Sequence, residues 1–454
     1  MSPRLSRAGF GRPAAPVKMV HLGIGNFTRA HQAWYTEHAP NAAEWGIAAF
    51  TGRRPDTAEA LAPQDGLYTL ITREASGDRF EVISSLSKVH ASTENDAFLA
   101  YLAAPETAVI TSTVTEAGYM RAPDGHLDVA NERVAADIEA LKADPRAVCA
   151  TTPLKLVSGF LARRAAGVTS GITVLPCDNL PENGKAFSTV VIDGATAVDP
   201  SLAEWMAENV SWATCMVDRI TPATTDEERA AVEAACGYTD ASPVPTEPFA
   251  EWVVSGNFIA GRPAWEEAGV TIVDDVTPFE ERKLWMLNGS HSLMAYAATI
   301  KGFETVADAI NDPVVRGWVN EWWDVAGANL SVPSDEYRAK LIDRFENPRI
   351  RHLLAQIAAD GSQKIPVRIV PALRAEVAAG RLPDGPLRAI AAWIQHLRGN
   401  GAPVKDAQAD TVLALVGADL ASTVDNVLGW LDADLAANAD VVKRVNELAE
   451  DLVS

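Results

Sequence analysis

Short apolar runs alternate with helical stretches through the first half of the chain. V-K-M-V-H-L-G-I-G (17–25) is an apolar run ending in glycines, which reads as a buried strand and its turn. A-H-Q-A-W-Y-T-E-H-A (30–39) follows with helical character. W-G-I-A-A-F (45–50), T-A-V-I-T-S-T-V (107–114) and I-T-V-L-P-C-D-N (172–179) are further strand candidates, as are A-T-C-M-V-D-R-I (213–220) and V-T-I-V (270–273). Buried strands alternating with helices predict βα units and a mostly parallel sheet, an α/β fold. From Thr277 the texture changes. Apolar residues recur at helical spacing through 283–301, V-V-R-G-W-V-N-E-W-W-D-V-A, L-R-A-I-A-A-W-I-Q-H-L and V-V-K-R-V-N-E-L, and strand candidates become scarce. The expected organisation is one domain over 1–276 and a mainly α-helical domain over 277–454.

At 454 residues, with 48% hydrophobic and 22% charged residues, the chain has the length and composition of a globular protein of two or three domains. No apolar run approaches a bilayer's thickness. The first residues, M-S-P-R-L-S-R-A-G-F-G-R-P, are basic without an apolar core, which predicts a loose arm and not a secretion signal. Sixty acidic against 39 basic residues give a net charge of −21, which argues against nucleic acid and anionic membrane as partners. The expected partner is a small molecule, the expected assembly a monomer or small homo-oligomer. Four cysteines, at 149, 177, 215 and 236, form no C-x-x-C pair, and no H-E-x-x-H occurs. This predicts metal-free chemistry in a reducing, cytoplasmic setting.

G-I-G-N-F-T (23–28) ends the first strand and opens a helix. Gly23, Ile24, Gly25, Asn26 and Phe27 fit the turn whose backbone N–H groups approach a dinucleotide pyrophosphate, a Rossmann-type feature. The third glycine position holds Thr28. At the second strand's end, where NAD-binding folds carry an acid, T-G-R-R-P-D places Arg53 and Arg54, which would suit a 2′-phosphate or equally be two solvated loop arginines. NAD and NADP both stay open. C-D-N-L-P-E-N-G (177–184) closes another strand, and Asn179 there offers an amide to a ligand oxygen; Asp-Asn before Leu-Pro is equally an ordinary turn sequence.

K-L-W-M-L-N-G-S-H (283–291) sets an amine, an amide and an imidazole five and then three residues apart. On an α-helix, at about 100° per residue, Asn288 lies about 140° and His291 about 80° from Lys283, with His291 between the other two. Such a face could hold and deprotonate an alcohol, and on these nine residues alone it is equally an ordinary polar helix face. Y-x-x-x-K, the pattern of short-chain dehydrogenases, occurs at none of the seven tyrosines.

Together, H-L-G-I-G-N-F-T-R-A-H-Q-A, Q-D-G-L-Y-T-L, T-V-T-E-A-G-Y, C-D-N-L-P-E-N-G, M-V-D-R-I-T-P-A-T, G-R-P-A-W-E, K-L-W-M-L-N-G-S-H and D-G-S-Q-K-I-P resemble, in order and nearly end to end, the long-chain polyol dehydrogenases. This is the family of mannitol 2-dehydrogenase and fructuronate reductase (mannonate oxidoreductase). The resemblance implies NAD(P)-dependent interconversion of a secondary alcohol and its ketone. It makes Lys283 the general base, Asn179 and Asn288 the amides that stabilise the alkoxide, and His291 the residue that orients the hydroxyl. A free lysine is a poor base at pH 7, so its site must lower its pKa; Trp285, Met286 and Leu287 could supply apolar surroundings. Glu280 could pass the proton to solvent, and Asp218 with Arg219 could border the site or hold two loops. In the second domain Lys364 is expected to contact distal substrate oxygens. Gln356, where mannitol dehydrogenases tend to carry arginine, with Arg351 and His352, points toward a sugar acid; a neutral hexitol or pentitol is the alternative. A cofactor-binding regulator without chemistry would have no need of Lys283, both asparagines and His291 together.

Overall fold

The structure, a computed structural model, describes residues 2–9 and 11–454. Its chain divides into two compact units, Met1–Thr277 and Pro278–Ser454.

Among the described residues of the first unit, β1 (Val17–Leu22), β2 (Gly46–Phe50), β5 (Leu86–His90), β6 (Val109–Ser112), β7 (Ile172–Pro176) and β8 (Val210–Trp212) form one parallel sheet. Its spatial order is β5-β2-β1-β6-β7-β8. Counted along the chain this is 3-2-1-4-5-6, the doubly wound Rossmann order. The strands qualify because both of their faces are covered: β2, β6 and β7 are buried at every position. Successive residues of β1 point to opposite faces. Val20 and Leu22 join Ile110, Val174 and helix residues such as Phe160 and Phe187. Met19 joins Val109, Leu175, Tyr35, Trp252 and Trp265 on the other side. The chain reverses its direction of strand addition between β1 and β6, so a crevice opens beyond their carboxyl ends.

Two of the expected strands lie elsewhere. Residues 213–220 and 270–273 contribute β9 (Thr214–Asp218) and β12 (Thr271–Ile272) to a separate sheet, in which β11 (Glu251–Ser255) runs antiparallel to β9 and parallel to β12. Thr271 and Ile272 are exposed, not buried. A third sheet pairs β3 (Tyr68–Glu74) with β4 (Gly77–Ile83) and with β10 (Val244–Thr246). The expected helix at 30–39 is two short ones, Asn26–Ala30 and Gln32–His38, broken at His31.

The N-terminal arm is not loose. Leu5 is fully buried against Leu67, Ile71, Val232 and Tyr238, and its N–H donates to the Thr239 carbonyl at 3.0 Å. Arg7 donates to the carbonyls of Ser84 at 2.8 Å and Leu86 at 2.7 Å. One leucine and one arginine that satisfies strand-end carbonyls are enough to tie it down. Met1 and Phe10 of that arm lie outside the described residues.

The second unit is helical. Ser290–Ile300 is buried from Ser290 through Ala298 and packs against Asp384–Leu397, which in turn packs against Ala439–Asp451. Pro313–Ala328 starts on Pro313 and is capped by the Asp312 carboxylate, which accepts from the N–H groups of Val314 and Val315 at 3.0 Å. It supplies Trp322 and Trp323 to the core. No helix among the described residues is long and apolar enough to cross a membrane.

Candidate active site

At the carboxyl end of β1, Gly23 has φ +95°, and a Cβ there would stand 2.5 Å from the Thr113 carbonyl oxygen. Only glycine fits this left-handed turn against the end of β6. The N–H groups of Gly23 and Ile24 both donate to the Phe50 carbonyl, at 3.0 and 2.9 Å, which ties the turn to the end of β2. Gly25 is the N-cap of Asn26–Ala30, and a Cβ on it would meet only the Gly23 carbonyl, at 3.9 Å. Ile24 is buried. Asn26 spends its side chain on structure, donating to Pro222 O (2.8 Å) and Thr224 Oγ1 (3.1 Å) and accepting from Arg29. Phe27 stacks on His31 at 4.9 Å. A glycine turn with open space before a helix N-terminus fits a dinucleotide pyrophosphate.

Thr28, in place of a third glycine, is fully buried. Its hydroxyl bonds to His21 Nε2 at 2.8 Å and Thr113 Oγ1 at 2.7 Å, and His21 Nδ1 meets Thr111 Oγ1 at 2.8 Å. Thr113 Oγ1 donates to the Gly23 carbonyl at 2.8 Å. This buried network locks the turn from beneath. Burial pushes His21 down to about 3, so its ring is neutral. Arg53 and Arg54 follow β2 in an exposed loop, where Arg54 pairs with Asp56 at 3.3 Å.

A cleft of about 510 Å³ lies at the sheet's carboxyl edge, lined by Phe27, Thr113–Ala117, Cys177, Asp178, Asn179 and Val217. The turn bearing Asn179 is held on both sides. Asp178 accepts from Tyr119 Oη and, at 3.0 Å, from the Leu180 N–H. Asn183 donates to the carbonyls of Asp178 and Cys215. Burial raises the Asp178 carboxyl to about 6. Arg219 braces the same unit through the carbonyls of Ala30 and Glu247.

The second unit departs from the expected geometry. Residues Lys283–Gly289 are wound as a π-helix, which continues as the α-helix Ser290–Ile300. In a π-helix the hydrogen bond runs i→i+5, so residues five apart come round to the same side. Lys283 and Asn288 therefore lie much closer in azimuth than the 140° of an α-helix, and His291 no longer falls midway between them. Met286 and Leu287 are buried, Trp285 half-buried.

His291 is buried and packs against His352 at 4.9 Å and Phe345 at 5.0 Å. Burial first, then His352, Arg344, Arg368 and Lys364, push its pKa well below the usual value, so its imidazole is neutral. Burial and Arg344 lower His352 likewise. Lys364 donates to the carbonyls of Ile357 (3.1 Å) and Ala359, and burial with Arg368 lowers its pKa. Arg368 donates to the Asn288 carbonyl and Ser292 Oγ, both at 3.2 Å. His291, His352 and Lys364 thus gather with Arg344 and Arg368, two residues the sequence reading passed over. Arg351 and Gln356 do not join them; both are exposed. Among the described residues no group of three or more His, Cys, Asp or Glu is arranged to hold a metal.

Residues 17–267 match the family model of the mannitol dehydrogenase Rossmann domain, and 275–453 that of the mannitol dehydrogenase C-terminal domain. The D-mannonate oxidoreductase of Escherichia coli (strain K12) is 37% identical over 395 residues, 84% of this chain and 80% of the relative. Substrate-free D-sorbitol dehydrogenase superposes with a TM-score of 0.89 at 30% identity, covering 99% of this chain and 98% of its own. The Pseudomonas fluorescens mannitol 2-dehydrogenase complex with NAD and D-mannitol gives 0.75 at 31% identity, covering 96% and 92%. With both units matched, the chain belongs to the mannitol dehydrogenase family of oxidoreductases.

Proposed function

We propose that the protein interconverts a secondary alcohol of a sugar acid and its ketone, in the manner of a fructuronate reductase (mannonate oxidoreductase). In this reading the first unit binds NAD or NADP at Gly23–Phe27, and the second supplies the acid–base chemistry. The nicotinamide, when bound, supplies or accepts the hydride. Lys283 takes the hydroxyl proton during oxidation and returns it during reduction. Asn179 and Asn288 donate amide N–H groups to the developing alkoxide. His291, neutral and fixed between Phe345 and His352, orients the reacting hydroxyl through a single hydrogen bond.

The observation that carries the sugar-acid reading is the set of cationic side chains around His291 and Asn288: Arg344, Lys364 and Arg368, the last bonded to the Asn288 carbonyl. Such a cluster suits a substrate carboxylate, which arginine can grip through two bonds. A neutral hexitol is the second reading, favoured by the likeness to the D-mannitol-bound mannitol 2-dehydrogenase.

Initial rates of NADH and NADPH oxidation with D-fructuronate, D-tagaturonate and D-fructose separate the two. The expected result is rapid turnover of a keto-uronate, weak turnover of fructose, and a loss on the order of 10²–10⁴-fold in Lys283→Ala. Preference for fructose would return the protein to the hexitol reading. Undiminished activity in Lys283→Ala would remove the lysine base.

A further inference from the structure

The π-turn at Lys283–Gly289 is met by an unusual set of side-chain donors. Trp322 Nε1 donates to the Trp285 carbonyl at 2.8 Å, and Trp323 Nε1 to the Met286 carbonyl at 2.9 Å. Arg368 Nη1 donates to the Asn288 carbonyl at 3.2 Å, and Ser290 Oγ also bonds Met286 O. Three of the seven carbonyls in the turn thus have a partner from a different helix. Side-chain groups that enter a helical hydrogen-bond ladder are a known cause of local helix distortion. Gly289 completes the fit: a Cβ there would lie 2.7–2.9 Å from the Trp322 indole, so the ring rests against bare backbone. Trp322 and Trp323 are themselves fixed, 0% and 1% exposed on the helix Pro313–Ala328.

The winding matters because the helix Ser290–Ile300 cannot turn. Its residues are buried from Ser290 to Ala298, so its register is set by the core. Rewinding 283–289 as α would take one residue out of the turn. Lys283 would then swing about 100° around the axis relative to Asn288 and His291. We propose that Trp322 and Trp323 are positioning residues of the active site: their indole N–H groups hold the π-turn that brings Lys283 onto the side of Asn288. The inference rests on the reading of Lys283 as the base, and a misplacement of about 1 Å or more at such a group costs on the order of 100-fold in rate.

Trp322→Phe and Trp323→Phe each remove the donor and keep an aromatic ring. With D-fructuronate or D-fructose, whichever wild type reduces, and NADH, kcat is expected to fall about 10- to 100-fold. KM and NADH affinity should stay within about twofold. The decisive comparison repeats each change in Lys283→Ala. There the residual rate should change by less than about twofold, because the tryptophans act through a lysine already gone. A crystal structure of Trp322→Phe should show residues 283–289 rewound as α. If the phenylalanine variants fold poorly, β-(3-benzothienyl)alanine at the same positions keeps the indole shape without the N–H, and the same outcomes apply. An unchanged kcat, or the same fold loss with and without Lys283, overturns the proposal. Full activity in Lys283→Ala would instead overturn the lysine reading, so the two failures are distinguishable.

Discussion

Gly23 and Gly25 sit two residues apart in one turn, yet alanine at each should have opposite consequences. At Gly23, φ is +95°, where an L-residue costs roughly 1–2 kcal/mol. The added methyl would also lie 2.5 Å from the Thr113 carbonyl oxygen, so the end of β6 must move, which costs about 1–3 kcal/mol more. Gly23→Ala should therefore lose about 3 kcal/mol of stability, lowering Tm by roughly 6–12 °C for a unit of this size. At Gly25 the backbone is extended (φ −132°, ψ −169°), and the methyl meets nothing closer than 3.9 Å. The mild loss of a glycine N-cap is offset by about 0.4–1 kcal/mol of unfolded-chain entropy, so Tm should barely change. The space the methyl enters is where the pyrophosphate would approach, so NADH affinity should fall about tenfold or more, about 1.4 kcal/mol per decade. Thermal unfolding and titration of nicotinamide fluorescence measure the two quantities separately. Wild-type NADH binding in Gly25→Ala would refute the cofactor turn, and an unchanged Tm in Gly23→Ala would refute the strain argument.

Two other predictions concern the same unit. Arg53→Ala/Arg54→Ala is expected to weaken NADPH binding about tenfold more than NADH binding, since only the former carries a 2′-phosphate; equal losses would make the two arginines surface charges. Asp178, raised by burial to about 6, lies above its unfolded value near 3.9, so the fold prefers the protonated form. Its stabilisation is present below about pH 4 and lost as pH rises through 6, by about 3 kcal/mol at most. Urea unfolding of wild type against Asp178→Asn from pH 4 to 7.5 should show the variant gaining relative stability across that window; a constant difference would refute the shift.

Much of the first unit was legible because buried parallel strands announce themselves as apolar runs: β1, β2, β6 and β7 fell where 17–25, 45–50, 107–114 and 172–179 were read. The antiparallel pieces were not. β4, G-D-R-F-E-V-I, carries three charges in seven residues and buries only Ile83, so it reads as loop. β9 was read as a strand, buried like those of the main sheet, but nothing local says which sheet it joins. The strand-end turns that carry Gly23 and Asn179 were legible because glycine and Asp-Asn punctuate them. The bonding of His21, Thr28 and Tyr119 was not legible, because what a buried polar side chain does is visible only once its partners are known. Arg344 and Arg368 are spaced like ordinary helix-surface cations, and only burial beside His291 distinguishes them.

The five-residue interval between Lys283 and Asn288 shows why. A periodicity reading assigns one period to one element, and 283–301 reads as a single α-helix because the buried positions after Ser290 dominate it. Those positions fix the register of the C-terminal part. Any residue that does not fit the α period must then be absorbed ahead of Ser290, in the stretch that carries the lysine and the amide. Local propensity would not choose that winding, since i→i+5 turns are rare and occur mostly as single-turn bulges within α-helices. The choice is made by groups 37 residues away in sequence, the indoles of Trp322 and Trp323. Their pairing with Trp285 and Met286 is a tertiary fact. The residue types of the stretch stand in the sequence, while its geometry depends on a helix that carries none of them.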